Sequence, residues 1–277
     1  MDILALVDYA TRLLVVILVG VFSYKKNFVD LSGFIMGIII CTPIIILGGW
    51  NWFLIILLFY ITANIATRFK YDAKKAIGVA EEKGGARSWK SVLANGVAGL
   101  TALMIEKIIG GQIWALGYLG AIAAALGDTL ASEIGVLNPT PPRLIVRPWT
   151  KVKPGTSGAV SPLGYLMIII SGLTIGITGV TLNVVPEIHA NQYLLIIFII
   201  TIASLVGSTI DSILGASIQA RYRCVICGIE TDRKIHCGKK AVRIGGVEFI
   251  DNNVVNVIGT MSGCLFAVLL GIPLGFK

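Results

Sequence analysis

The segment from Ala121 to Glu133 carries several side chains that could do chemistry inside an otherwise apolar run. Asp128, Thr129, Ser132 and Glu133 fall within six positions. A carboxylate at membrane depth is costly unless it is paired or faces a polar cavity, so such groups are candidate functional residues. Asp128 and Ser132 are four residues apart and therefore share one face of a helix. The alternative interpretation is a helix end that emerges into water, and the two interpretations are compatible.

A second acidic segment, 207–215, is similar to the first. GDTLASEIG (127–135) and GSTIDSILG (207–215) have their glycines, one threonine and one serine at matching positions. The match indicates an internal duplication that brings two acidic helix ends together. Asp211 is then the second carboxylate of interest, with Ser212 beside it. Paired carboxylates beside hydroxyl groups are typical of a magnesium–nucleotide site, because Mg²⁺ prefers a few carboxylates together with phosphate oxygens and water.

The elements that position these residues are predicted to be transmembrane helices. Of the 277 residues, 56% are hydrophobic and only 14% are charged, and the mean hydropathy is +0.86. A typical span needs ~20 mostly apolar residues. Eight spans are predicted, at 4–22, 31–47, 52–67, 91–109, 113–134, 163–182, 193–214 and 254–272. The second and third are short and nearly adjacent, so a tight hairpin or a re-entrant pair is also compatible with the sequence.

The predicted fold class is therefore an all-α, polytopic transmembrane helical bundle that forms one integral membrane domain over 1–277. Residues 1–67 form its N-terminal spans and residues 68–277 its core. No cleavable signal peptide is expected, since the N-terminus lacks a basic region and a small-residue cleavage site.

The basic residues predict the orientation of the bundle. Of the 23 Lys and Arg residues, 20 lie in alternate loops, whereas the intervening loops 48–51, 110–112 and 183–192 carry none. By the positive-inside rule the basic loops, including 68–90, 135–162 and 215–253, are cytoplasmic and both termini lie outside. The net charge of +8 is then a cytoplasmic surface suited to anionic lipid or to phosphate. Nucleic acid is the weaker interpretation.

The loop 135–162 combines positive charge with a glycine-rich turn. Its prolines exclude a continuous helix and favour an extended path. Two glycines that flank two hydroxyl residues just before a helix can expose consecutive backbone N–H groups to anionic oxygens. The Walker A spacing is absent. The candidate phosphate-binding residues are Arg143, Arg147, Lys151, Gly155, Thr156, Ser157 and Gly158.

The loop 215–253 contains four residues that could bind a metal, namely Cys224, Cys227, His236 and Cys237. Two pairs of this kind in a turn-rich loop can hold a structural, tetrahedral zinc ion. The second pair is adjacent rather than spaced by two residues, and reduced thiols without metal are the alternative. A cytoplasmic location argues against disulfides.

Polar residues gather at the predicted cytoplasmic ends of four different spans. They are Asn95, Asp128, Ser132, Glu133, Asp211, Ser212 and Asn256. A transporter usually binds its substrate near the bilayer midplane, whereas this group lies at one interface. The arrangement favours an enzyme that takes a soluble phosphorylated cosubstrate from the cytosol and a lipid from the bilayer.

Several segments occur in the order NGVAGL, GDTLASEIG, PRLI, KPGTSGAVSPLG, DSILGASIQA, the Cys/His loop and DNNVVN. Together they resemble the integral membrane family that includes eukaryotic transmembrane protein nineteen and the plant phytyl-phosphate kinases of tocopherol synthesis. The resemblance runs from about Ala86 to the C-terminus. It implies a kinase of lipid metabolism that transfers a phosphoryl group from a nucleoside triphosphate, CTP or else ATP, to an isoprenoid monophosphate.

The charges suggest a role for each candidate residue in such a reaction. Asp128 and Asp211 would hold magnesium, with Glu133 as an outer ligand or an orienting group. The basic residues and the turn at 155–158 would bind phosphates, and Asn95 and Asn256 would hold the acceptor phosphate. Two other functions remain open: a transporter or lipid flippase, and a cytidylyltransferase that makes a CDP-activated lipid.

Overall fold

The computed structural model describes residues 3–80, 82–228, 230–232 and 234–276. Each predicted span is a helix, so the helical membrane bundle is confirmed. Seven helices are long and apolar enough to cross a membrane, and the second predicted span is a shorter apolar helix of 17 residues. The helices are α1 (Ile3–Lys25), α2 (Leu31–Leu47), α3 (Gly49–Arg68), α4 (Tyr71–Ala76), α5 (Trp89–Ile109), α6 (Ile113–Glu133), α7 (Pro162–Thr181), α8 (Tyr193–Ser217) and α9 (Asn252–Gly271).

Local sequence sets where several helices begin and end. The side chains of Asp30, Ser161 and Asp251 each accept a hydrogen bond from a backbone N–H in the first turn of α2, α7 and α9, respectively. Such N-caps satisfy amide groups that have no partner within the helix. Between α2 and α3 the chain turns at Gly48 and Gly49, where Gly49 has φ +75°. The structure therefore shows a tight turn between these two helices.

Helix α6 lies at the centre of the bundle and contacts α3, α5, α7, α8 and α9. Its residues Ala115 to Gly127 are all buried. Close packing depends on small residues: a Cβ added to Gly120 would lie only 2.6 Å from Gly263 O of α9. Small residues allow transmembrane helices to approach closely and gain dispersion contacts. The part of α6 that precedes its acidic end is therefore packed against neighbours on all sides.

The basic loops share one side of the bundle, which we call the basic face (residues 26–30, 69–80, 82–88, 134–161, 218–228, 230–232 and 234–251). Direct contacts join these loops. Asp30 N–H donates to Arg87 O at 3.1 Å, and Gln219 Nε2 donates to Ser157 Oγ at 3.2 Å. At the opposite side, Arg12 of α1 donates to Ile45 O near the α2–α3 turn. The alternation seen in the charge pattern is therefore a real separation of two faces.

The loops of the basic face contain short strands that the all-α prediction did not include. The strands are β1 (Arg143–Leu144), β2 (Arg147–Lys151), β3 (Ala159–Val160), β4 (Arg221–Arg223), β5 (Glu230–Thr231), β6 (Ile235–His236), β7 (Lys239–Lys240) and β8 (Val242–Gly245). They pair antiparallel in the orders β2-β1-β3, β5-β4-β8 and β6-β7. Strands of two to five residues are too short to leave a readable alternation in the sequence.

Candidate functional site

Asp128 of α6 and Asp211 of α8 meet between their helices. The two carboxyl groups lie within hydrogen-bonding reach of each other when one is protonated. Within the two matched segments, Asp128 is the second residue and Asp211 is the fifth. The second and fifth positions of a helical segment lie on the same face, because they are three residues apart. Both side chains can therefore face the gap between the two helices. The structure thus brings together the two carboxylates predicted to hold magnesium.

The same gap receives polar groups from α5 and α9. With its amide oriented to satisfy its neighbours, Asn256 Nδ2 donates to Asp211 Oδ2 at 3.1 Å and to Asn252 O at 2.8 Å. Asn95 is buried and donates to Ser91 O within α5. We call this gap the acidic pocket, and its lining comprises Asn95, Ala124, Ala125, Asp128, Gly207, Asp211, Asn256, Gly259 and Thr260.

Small residues make room for the acidic pocket. A Cβ added to Gly259 would lie 3.1 Å from Asp211 Cβ, and one added to Gly207 would lie 2.7 Å from Gly259 O. Glycine at these positions lets α8 and α9 approach until Asn256 reaches Asp211. Gly207 also faces Ala124 of α6, while Gly127 faces Ser204 and Ser208 of α8. The two glycines that begin the matched segments therefore each pack against the other helix, whereas the duplication itself stays a prediction.

Glu133 lies outside the acidic pocket, in a buried ion pair. Its carboxylate accepts from Lys74 Nζ at 2.5 Å, and the two side chains are only 9% and 1% exposed. Lys74 Nζ also donates to Ala66 O and Thr67 O at the end of α3. This geometry favours a structural role for Glu133, joining α4, α3 and α6, over the predicted role as an outer magnesium ligand. Ser132 is exposed and donates to Thr129 O, so it too lies outside the pocket.

The predicted phosphate-binding residues lie on the basic face rather than in the pocket. Arg143, Arg147 and Lys151 are exposed on the β1–β2 hairpin, where Arg143 donates to Pro148 O. The prolines do exclude a helix there, and the chain is extended in β1 and β2, but it also folds back on itself between them. All three cations are free to meet a soluble anion.

The glycine-rich turn at 155–158 packs against the end of α8. Gly158 has φ +73°, and a Cβ there would collide with Ala216 and with Ser212 O. Thr156 N–H donates to Lys153 O at 3.2 Å, so one amide of the predicted phosphate nest is already used within a turn. Ser212 is half-buried next to this contact, one position beyond Asp211. The turn therefore lies just outside the acidic pocket, on the side of the basic face.

The four candidate zinc ligands come together in the loop that follows α8. One ligand atom from each of Cys224, Cys227, His236 and Cys237 lies within 4.8 Å of the others. His236 Nδ1 is 3.5 Å from Cys227 Sγ and 3.3 Å from Cys237 Sγ, and the Cys227 and Cys237 sulfurs are 3.8 Å apart. Tetrahedral zinc with Zn–S bonds of about 2.3 Å places its sulfurs about 3.8 Å apart.

Backbone geometry accounts for the unusual spacing of the second pair. Cys237 has φ +51° and Gly238 φ +73° at the turn between β6 and β7, and Gly228 has φ +71° after the first pair. These turns direct both members of each pair inward. Hydrogen bonding from the Cys227 backbone, with smaller contributions from His236 and Ile226, lowers the pKa of Cys224 from 9.0 to about 6. The donor set and its spacing fit zinc.

Comparison with known proteins places the chain in a family. Residues 14–264 match the integral membrane protein family DUF92. The chain belongs to this family. Protein PGR of Arabidopsis thaliana is 33% identical over 258 residues, which cover 86% of this chain and 88% of that protein. Protein VTE6, chloroplastic, of the same plant is 26% identical over 238 residues, covering 81% and 62%. The predicted membership of this membrane family is confirmed.

Similar proteins also occur outside plants. Membrane protein MJ0933 of Methanocaldococcus jannaschii is 28% identical over 266 residues, which cover 96% of this chain and 95% of that protein. No solved structure matches the chain.

Sequence analysis did not identify three residues that the structure places near the site of this DUF92 protein. Thr260 lines the acidic pocket and donates to Asn256 O at 2.9 Å. Arg87 lies close enough to Asp128 to interact with its charge, and Lys74 pairs with Glu133. Arg87 and Lys74 belong to a loop with seven basic residues, and nothing in their spacing distinguishes them from their neighbours. A hydroxyl residue four positions after Asn256 was a signal that could have indicated Thr260.

Proposed function

We propose that this protein is a membrane-embedded kinase that transfers a phosphoryl group from a nucleoside triphosphate to an isoprenoid monophosphate. CTP is the proposed donor, and ATP is the other candidate. The product is the prenyl diphosphate. The observation that carries the proposal is the acidic pocket, where two carboxyl groups and two amides from four helices converge beside a basic face. Membership of DUF92 supports it, because the sequence resembles the family that includes the plant phytyl-phosphate kinases.

The acidic pocket has the chemistry of a cation site. Asp128 and Asp211 form no ion pair with Lys or Arg in the part of the chain that the structure describes. Adjacent carboxylates repel each other unless a proton or a cation lies between them. Oxygen ligands of this kind suit Mg²⁺, which is bound by one or two carboxylates together with substrate phosphates. The chemistry supplied by bound Mg²⁺ is the neutralisation of charge on the triphosphate.

The protein's own residues would position the two substrates. Phosphoryl transfer between two anions depends on charge neutralisation and in-line placement more than on covalent help. Asn256 holds the carboxylate of Asp211 in one orientation, and Arg87 adds positive charge opposite Asp128. Asn95 faces the acceptor phosphate from α5. No general base is required, because a phosphate monoester oxygen is already anionic.

The exposed cations of the basic face would attract the triphosphate from the cytoplasm. Clustered charge of one sign raises the local concentration of an oppositely charged substrate and speeds its association. We assign this role to Arg143, Arg147 and Lys151. The turn at 155–158, with Ser132 and Ser212, would contact phosphates at the entrance of the pocket. This arrangement requires the basic face to be cytoplasmic, as the positive-inside rule predicts.

The proposed reaction is tested with detergent-solubilised protein, CTP and a prenyl monophosphate. We expect prenyl diphosphate and CDP to form in equal amounts. Release of pyrophosphate with a CDP-linked lipid would instead show a cytidylyltransferase. A protein that forms neither product in detergent, but moves the lipid across reconstituted vesicles, would be a transporter or flippase. Replacing CTP with ATP in the same assay decides the nucleotide.

We also propose that Cys224, Cys227, His236 and Cys237 bind a structural zinc ion. Binding would tie β4 to the β6–β7 hairpin and stabilise a loop that has only a small hydrophobic cluster, formed by Ala220, Tyr222 and Ala241. Structural zinc contributes directly to the folding free energy of small, loop-rich segments. The site lies on the exposed side of the basic face, where it would hold the loop rather than take part in the reaction.

Purified protein is expected to contain one zinc ion per chain, measured by inductively coupled plasma mass spectrometry. Cys227→Ser combined with Cys237→Ser should lose the metal, because two of the four ligands are then missing. Limited proteolysis should cut the loop 221–245 faster in this variant. Cys41→Ser is the matched control, since Cys41 lies in α2. Zinc retained in full by the double variant, or absent from the wild-type protein, would contradict the proposal.

A further inference from the structure

A second cavity lies next to the acidic pocket, among α1, α2, α3 and α5. We call it the apolar channel. Its cavity volume is about 110 Å³, and it is open between the helices rather than fully enclosed. Most of its lining is aliphatic or aromatic, for example Val16 and Val19 of α1, Ile38 of α2 and Phe53 of α3. A cavity with such walls among transmembrane helices suits a hydrocarbon chain.

One end of the apolar channel is polar. Ser23, Tyr60, Asn64, Ser91 and Arg87 line it, and each lies in or next to the part of its helix that adjoins the basic face. The Tyr60 hydroxyl is buried without a hydrogen-bond partner among the described residues, and Ser23 is its polar neighbour. A buried polar atom without a partner is costly, so this end is suited to a polar group supplied by a ligand.

Arg87 supplies fixed positive charge at this polar end. Its backbone is held by two hydrogen bonds, from Arg87 N–H to Phe28 O at 3.0 Å and from Asp30 N–H to Arg87 O at 3.1 Å. Its guanidinium forms no ion pair with another residue that the structure describes. Arg68 is a second cation close by, and its guanidinium lies over the Phe28 ring at 4.0 Å. Guanidinium groups are the preferred partners of phosphate oxygens.

The polar end of the apolar channel adjoins the acidic pocket. Asn95 lines both cavities, and Arg87 is near enough to Asp128 to interact with its charge. A ligand with its tail in the channel would therefore present its head group beside Asp128 and Asp211. The apolar channel suits the tail of an amphipathic substrate, and the adjoining acidic pocket lies where its head group would be.

We infer that the apolar channel binds the tail of a prenyl monophosphate and that Arg87 and Asn95 hold its phosphate at the edge of the acidic pocket. The identity of the ligand rests on the proposed kinase function. The channel itself rests on separate observations, which are its apolar walls, its polar end and the unpaired guanidinium of Arg87. Charge complementarity commits the site to an anionic head group, in contrast to a neutral lipid or a prenyl alcohol.

Gly37 offers a direct way to fill the apolar channel. It lines the channel from α2, and an added Cβ at this position would meet nothing within 4 Å. Phe at position 37 can therefore enter the cavity without pushing the helices apart. Ile39 on the same helix is 53% exposed on the outside of the bundle, so Ile39→Phe is the matched control. Gly37→Ala is a second control, because a methyl group leaves most of the cavity empty.

The test is equilibrium binding of tritiated geranylgeranyl monophosphate to the full-length protein in detergent, without nucleotide. We expect Gly37→Phe to weaken binding by at least about 10-fold, because the phenyl ring would occupy the space that the prenyl tail needs. Ile39→Phe and Gly37→Ala should bind nearly as well as the wild type. Arg87→Gln should weaken binding of the monophosphate by about 10-fold or more and leave binding of geranylgeraniol unchanged, because a charge-assisted hydrogen bond is lost.

The outcomes separate this inference from the proposed reaction. Equal binding by Gly37→Phe and Ile39→Phe, with unchanged melting temperatures, would overturn the channel even if the diphosphate is formed. Displacement of the label by inorganic phosphate or by two-chain phosphatidic acid as readily as by unlabelled prenyl monophosphate would also overturn it. The expected binding pattern without diphosphate formation would support the channel and reject the kinase.

Discussion

Replacing Asp128 with Asn is expected to lower kcat for prenyl diphosphate formation by at least about 100-fold, the scale typical of removing one electrostatic group that acts in the transition state. Asp128 shares the acidic pocket with Asp211. Among the described residues, these two are the only acidic side chains that line the pocket. Asn has nearly the same shape but lacks the negative charge, so the cation that neutralises the triphosphate would bind much more weakly. Substrate binding to the apolar channel should be nearly preserved.

The measurement is kcat in detergent at saturating CTP and prenyl monophosphate, with size-exclusion profiles and melting temperatures for each variant. Asp72→Asn is the matched control, because it removes the same charge from an exposed position of α4 on the basic face. We expect the control to retain wild-type activity. A kcat for Asp128→Asn within a factor of two of the wild type would remove Asp128 from the reaction.

Breaking the pair between Lys74 and Glu133 is expected to destabilise the protein strongly. Removing one partner of a buried ion pair typically costs about 3–5 kcal/mol, because the other charge stays buried without compensation. The loss of Lys74 also removes the donor to Ala66 O and Thr67 O, two carbonyls at the end of α3. Lys74→Met and Glu133→Gln should therefore both lower the melting temperature. The combined Lys74→Met and Glu133→Leu variant should recover a large part of it, since an apolar pair leaves no buried charge.

This series also separates a structural role for Glu133 from a catalytic one. Thermal unfolding in detergent gives the stability, and kcat is measured well below each melting temperature. Lys75→Met is the control, because Lys75 is the exposed neighbour of Lys74. A Glu133→Gln variant with unchanged stability and a loss of kcat similar to that of Asp128→Asn would return Glu133 to the active site.

The sequence was sufficient to predict the bundle because apolar runs and the distribution of basic residues are long-range signals. Eight apolar segments predicted the long helices, and the alternate basic loops predicted one basic face. Asp128 and Asp211 could be paired because their segments match and end at the same depth. Apolar runs, charge distribution and segment matches are all properties of the linear sequence, so they can be identified without knowing any tertiary contact.

The parts that the sequence did not predict depend on tertiary packing. Glu133 adjoins Ser132 in a polar cluster, yet its side chain turns toward Lys74, 59 residues earlier. A pairing over this separation leaves no periodic signal. The apolar channel is likewise a space between four helices, which no single segment encodes. The short strands that carry Arg143 and Arg147 form because the loop folds back on itself, and prolines exclude a helix without specifying a hairpin.

The most direct test follows the γ-phosphate of CTP in purified, detergent-solubilised protein that is supplied with a prenyl monophosphate. We expect label from [γ-³²P]CTP to appear in the extracted prenyl diphosphate with the wild-type protein, and almost none with Asp128→Asn or Asp211→Asn. Label that enters the lipid only from [α-³²P]CTP, or that enters equally with wild-type and variant proteins, would contradict phosphoryl transfer in the acidic pocket.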